Sequence, residues 1–203
     1  MNLPEAEAFI LDKLRTELSD TLYYHSLDHT LDVSEAVERI AGAEEIADEE
    51  TLTLLRTAAL FHDAGFITTY KGHESESCRM AHEYLPQFDY EPRQIVLISG
   101  MIEATRIPQT PKNKLEEILA DADLDYLGRP DYEPIAYSLY REMHARDLVE
   151  DEAAWNQIQI NFIEKHQYWT AYAQTIRQPA KYYHLRRLKK EAPRLRSGGA
   201  DRR

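Results

Sequence analysis

Of the eight histidines in this 203-residue chain, four fall early, at His25, His29, His62 and His73. His62 is followed at once by Asp63, at the end of the apolar run LLRTAALFHDAGF. Consecutive residues point about 100° apart on a helix, so both side chains can reach one ion held beyond its last turn. His25, His29, Val33 and Val37 recur every four residues, which puts both histidines on the inward face of another helix. Leu115, Leu119 and Asp123 form a similar row and send a carboxylate inward. A buried, unpaired carboxylate is costly, and a cation satisfies it. His29, His62, Asp63 and Asp123 can therefore make one site of two imidazoles and two carboxylates. That donor set suits a divalent ion such as Mn²⁺, Fe²⁺, Zn²⁺, Mg²⁺, Ni²⁺ or Co²⁺. The single Cys78 excludes a disulfide framework and a cysteine-based zinc site.

The elements that must position these residues are helices. The chain holds 22 Leu and 22 Ala against only 4 Val, with 7 Gly, and half-buried strands recruit β-branched residues that are scarce here. An all-α single domain over residues 1–190 is expected. Amphipathic periodicity predicts helices over 3–19, 26–41, 49–64, 74–85, about 92–103, from about 113, about 131–146 and 151–166. Gly65 reads as a C-cap, Pro86 as a stop, and IPQTP and GRPDYEP as breaks. A final helix is broken by Pro179, and residues 191–203 read as a disordered basic tail. Trp155, Phe162, Trp169 and Tyr172 are expected to pack in a core or against a second copy in a homo-oligomer.

Charge narrows the partners. The formal net charge is −12. From Lys181 onward there are 9 Lys/Arg and 2 Asp/Glu, so the end carries +7 and the remainder −19. An acidic body repels nucleic acid, which points to a small substrate. The basic segment from Lys181 reads as a solvated helix end. No apolar run is long enough to span a bilayer, and the N-terminal MNLPEAEAFILDKL is acidic with no long apolar core, so a cytoplasmic protein is expected.

The ordered set YYHSLDHTLDV, FHDAGF and ADADLDYLG resembles the HD-domain superfamily of metal-dependent phosphohydrolases. The resemblance covers roughly residues 20–128, and the helices from 131 to 190 are similar to the C-terminal extension of a bacterial subgroup of HD phosphohydrolases. It implies an all-α HD-domain helical bundle, a divalent metal and hydrolysis of phosphate esters of nucleotides and related molecules. His29 matches the first metal histidine, His62 and Asp63 the signature pair, and Asp123 the last metal aspartate. Asp121 and Asp125 flank Asp123 as candidate partners of a ligand. His25 resembles the leaving-group proton donor of the cyclic-nucleotide branch, with Ser26 replacing that branch's Asn. His73 and Glu103 are candidates for a second metal. Because ISGMIEATRIP carries no histidine, one metal is expected rather than two.

The implied reaction is attack of metal-activated water on phosphorus, with Asp63 accepting a proton and His25 protonating the departing oxygen. Lys71 and Arg106 are the candidates for binding the substrate's phosphate, ahead of Lys112 and Lys114. A reading from a different class is a metal-containing but non-catalytic nucleotide-binding or signalling module. The intact His25 favours the enzyme.

Overall fold

The computed structural model describes residues 1–198, which form ten α-helices and no strand among the described residues. Six build the first layer: α1 (Leu3–Glu17), α2 (Leu27–Ala43), α3 (Glu49–Phe61), α4 (His73–Tyr84), α5 (Pro92–Ala104) and α6 (Lys114–Asp123). Four build the second: α7 (Tyr132–His144), α8 (Glu152–Lys165), α9 (Ala171–Ile176) and α10 (Gln178–Gly198). Single 3₁₀ turns cover Ala64–Ile67, Leu85–Phe88 and Asp125–Gly128. No helix among the described residues is long and apolar enough to cross a membrane.

Local chemistry sets the helix starts. Asn2 caps α1 with Pro4 in its first turn, Asp48 caps α3, and Asn113 accepts from the Leu115 and Glu116 amides at 3.1 Å to open α6. Glu91 and Gln94 form a reciprocal capping box on α5. Each helix then buries one stripe: Ala6, Ile10 and Leu14 on α1, and Val33, Val37 and Ile40 on α2. Full burial of each such Leu, Ile or Val contributes about 1.5–3 kcal/mol. The first layer closes round one core that includes Leu55, Phe61, Ile98 and Leu119. A second core, with Tyr126, Leu127, Tyr132, Trp155 and Ile163, joins the second layer to the end of α6.

Asp121 and Asp125 hold the layers together. Asp121, fully buried, accepts from the Trp169 amide at 3.0 Å, the Thr170 amide at 2.8 Å and the Thr170 hydroxyl at 2.7 Å. Asp125 pairs with Arg39 at 2.9 Å and Arg177 at 2.6 Å. Neither serves a metal ligand, contrary to the sequence expectation. The row that carries Asp123 toward the site turns Asp121 toward the second layer, two positions back on the helix.

The C-terminal third differs from expectation in three ways. The final helix is two, α9 and α10, with Pro179 in the first turn of α10, where its missing N–H costs nothing. Helix α10 runs to Gly198, through part of the segment read as a disordered tail, and residues 199–203 lie outside the described residues. Lys181 is no solvated end. It is fully buried, and its ammonium donates to the His166 carbonyl at 2.7 Å. Trp155 is core, as the aromatic spacing predicts, and Phe162 and Tyr172 pack against core residues.

Candidate metal centre

Helix α3 ends at Phe61, and His62 and Asp63 follow it directly into the 3₁₀ turn. That turn needs glycine at 65, though not as a left-handed cap. A Cβ there would stand 2.0 Å from the His73 carbonyl oxygen, so Gly65 lets the turn meet the start of α4 and bring His73 beside Asp63. The Gly65 amide donates to Ser77 Oγ at 2.8 Å. His29 sits in the first turn of α2, and Asp123 is the last residue of α6. Three separate helix ends thus bring donor atoms of His29, His62 and Asp123 within 4.8 Å of one another, with Asp63 against both histidines.

Their spacing is that of ligands round one ion. His29 Nε2 lies 3.2 Å from Asp123 Oδ1 and 3.5 Å from Asp63 Oδ2. His62 Nε2 lies 3.2 Å from Asp63 Oδ2 and 3.6 Å from Asp123 Oδ1. Two donors each about 2.1 Å from one ion stand about 3.0 Å apart at a right angle and about 3.4 Å apart at the tetrahedral angle. His62 is 0% and Asp63 6% exposed, yet His62 Nε2 and Asp63 Oδ2 have no hydrogen-bond partner. Buried polar atoms are normally satisfied, and a cation satisfies both of these at once. The His62 tautomer fits too. Its Nδ1 lies 2.7 Å from the Ala59 carbonyl, which can only accept, so Nδ1 carries the proton and Nε2 offers a lone pair.

Electrostatics agree. Burial alone would raise the Asp63 and Asp123 carboxyls, but the His62 and His29 rings outweigh it and hold both below the usual range, Asp123 at about 2. Burial would lower His62, and the two carboxylates raise it well above the ordinary imidazole value, so without an ion Nε2 also carries a proton, which a metal taking that lone pair displaces. The cluster draws positive charge inward.

The other expected residues separate into two groups. His73 joins the cluster: its Nε2 is 3.4 Å from Asp63 Oδ1, and its ring stacks on Phe66 with centroids 3.9 Å apart. Burial in that setting lowers its pKa, against the pull of Asp63 and Glu74. Glu103 does not join. It is exposed and accepts from Ser75 and Arg106, while the acid beside His73 is the buried Glu74, 3.8 Å from its Nδ1. Arg106 is occupied by Glu103 at 2.7 Å and Glu74 at 3.6 Å, and Lys71 is exposed on the loop before α4. Neither lines the cavity above the cluster.

His25 is placed differently from its spacing. It precedes α2, whose N-cap is Ser26, so it does not sit one helical turn from His29 on a shared face. Glu142 of α7 fixes it instead. One carboxylate oxygen stands 2.5 Å from His25 Nδ1, and the other accepts from the Tyr24 and His25 amides at 2.9 and 3.0 Å. Glu142 is fully buried, and although burial would raise its pKa, the His25 ring lowers it below the usual carboxylate value. Sequence reading missed Glu142. Its one signal was its place seven residues after Ile135 and three after Leu139, on the stripe of α7 that packs inward. His25, Asp63, His73 and Asp123 all line one cavity of about 480 Å³ between the layers.

No curated protein gives a match to the chain. Among solved structures the fold is similar to that of a predicted HD superfamily hydrolase from an uncultured Thermotogales bacterium. The TM-score is 0.60 at 21% identity, with 93% of this chain and 92% of that chain covered. Residues 26–125 match the model of the HD domain, a span that opens at the cap of α2 and closes just past Asp123. The histidine, His-Asp pair and distant aspartate all fall inside the matched span, so residues 26–125 of the chain are similar to the HD domain in both pattern and placement.

Proposed function

We propose that this chain is a metal-dependent phosphohydrolase that cleaves a phosphate ester of a small metabolite with water. The observation that carries the reading is the pair of buried, unpartnered donor atoms, His62 Nε2 and Asp63 Oδ2, at the floor of a cavity lined by Asp63, Asp123 and His25, the last held on a buried carboxylate. A divalent cation held by His29, His62, Asp63 and Asp123 supplies acidification of water and neutralisation of phosphoryl charge. Asp63 Oδ1, turned to His73, is placed to accept the proton that water loses as its oxygen bonds to phosphorus. His25 shares its Nδ1 proton with Glu142, which leaves Nε2 to protonate the ester oxygen as the P–O bond breaks. The sequence resemblance alone points to a nucleotide, as a monoester or cyclic diester; the residues of the site itself require only a phosphate ester.

The test is a hydrolysis panel of phosphorylated metabolites with p-nitrophenyl phosphate and bis-p-nitrophenyl phosphate, run with Mn²⁺, Mg²⁺, Ni²⁺ and Zn²⁺. Turnover with at least one metal is expected, lost on chelation and restored by readdition. Metal binding with no turnover across the panel returns the chain to the non-catalytic binding module.

A further inference from the structure

The metal end of the cavity is polar, and the rest is not. Away from Asp63 and Asp123 the walls are Tyr126, Leu139, Met143, Trp155, Phe162 and Ile163. Among the described residues no lysine or arginine lines it, whereas Asp63, Glu74 and Asp123 do. The cations nearby are engaged elsewhere. Arg106 is held by Glu103 and Glu74. Arg146 donates to the Thr21 carbonyl at 2.7 Å and the Glu142 carbonyl at 3.2 Å, and stacks over the Tyr70 ring. A phosphoryl group at the cluster would meet the cation, His25 and His73. A second phosphate or a carboxylate further along would meet acids and hydrocarbon, and would lose its hydration with nothing in exchange. The polar groups that could read a base edge are largely engaged with one another: Gln159 Oε1 accepts from the Tyr132 hydroxyl at 2.6 Å, the Thr105 hydroxyl donates to the Ile102 carbonyl at 2.8 Å, the Tyr24 and Tyr126 hydroxyls pair, and Tyr70 faces Glu142.

We infer that the substrate carries one phosphate on an uncharged, apolar organic body, an alkyl, isoprenoid or aryl group, rather than a nucleotide polyphosphate. The inference rests on the hydrolase reading for its reaction but not for its binding. A cavity of about 480 Å³ falls in the range that encloses a body of this size. Much of the apolar wall comes from α7 and α8, beyond the 26–125 span that matches the HD domain. Selection of the organic body therefore belongs to the C-terminal layer, and the metal to the N-terminal one.

Alkylphosphonates from methyl to octyl, which cannot be hydrolysed as esters, probe this by calorimetric titration into the Mn²⁺-loaded protein. The dissociation constant should fall about four-fold per added methylene until the cavity is full, the ratio that burial of a CH₂ gives. AMP and ADP, titrated in excess Mn²⁺, should bind more weakly than octylphosphonate. A flat series, or AMP or ADP binding more tightly than octylphosphonate, overturns the inference. The matching esters separate the two claims. Hydrolysis of methyl and octyl phosphate at equal kcat/KM sinks the apolar selection and leaves the hydrolase. A rising phosphonate series with no ester cleaved keeps the apolar selection and sinks the hydrolase.

Discussion

In the proposed reaction, His25 and Glu142 are the residues on which chemistry, as opposed to metal binding, depends. Replacing His25 with Ala removes a side chain that touches no metal donor atom within hydrogen-bond reach, so the metal should stay. Turnover should fall by roughly two to four orders of magnitude, the usual contribution of general acid catalysis. The loss should shrink for nitrophenolate, which departs without protonation, and be severe for an alkoxide. Equal losses for both leaving groups contradict the assignment. In the proposed reaction Glu142 is a positioning residue, and Glu142→Gln should lower kcat with metal content and KM little changed, losing more with an alkoxide than with a nitrophenolate leaving group, because the imidazole loses the carboxylate that orients it. An equal loss for both leaving groups contradicts that role. At this scale the sequence showed the four residues that cluster and hid their supports. His29, His62, Asp63 and Asp123 stand out because each is polar at the end of an apolar stripe. Glu142 is 117 positions from His25, and no local pattern ties two such residues together. Asp121 misled for the converse reason: a carboxylate two places from a ligand looks like its helper, and only the packing of Trp169 and Thr170 shows where it points.

Among the elements, α10 departs furthest from its sequence pattern. Its charges suggest a solvated end, yet Lys181, Leu185 and Leu188 are buried against the second core. Burial presses the Lys181 ammonium down to about 8, from an ordinary value of 10.5. The folded chain then binds fewer protons than the unfolded one between those limits, so stability rises as pH climbs through that window and the penalty is constant below it. The gain is at most about 3 kcal/mol. Thermal melts of the wild type and Lys181→Met should therefore draw together or cross between pH 8 and 10, with the wild type gaining several degrees relative to the variant. A difference in Tm independent of pH contradicts the burial of a charged amine. The first eight helices were legible because caps and prolines mark their ends. The split between α9 and α10 was not, since Pro179 reads equally as a break within a helix or as the opening turn of a new one.

Across the whole molecule, two helical layers meet at one cavity and divide the work. The first supplies the proposed metal donors from the ends of α2, α3 and α6. The second supplies Glu142 and the apolar walls. The acidic body, −19 outside the basic C-terminal end, is consistent with a small substrate and with a site whose buried carboxylates call for a cation. The claim beneath all of this is that His29, His62, Asp63 and Asp123 hold a divalent ion. Its most direct test is elemental analysis of the purified, Mn²⁺-loaded and desalted protein beside Asp63→Ala, with circular dichroism of both. The wild type should retain the ion, and Asp63→Ala should lose it while keeping its helical spectrum, because the surrounding core is apolar and complete without that carboxylate. Full metal occupancy in a folded Asp63→Ala protein would contradict the account.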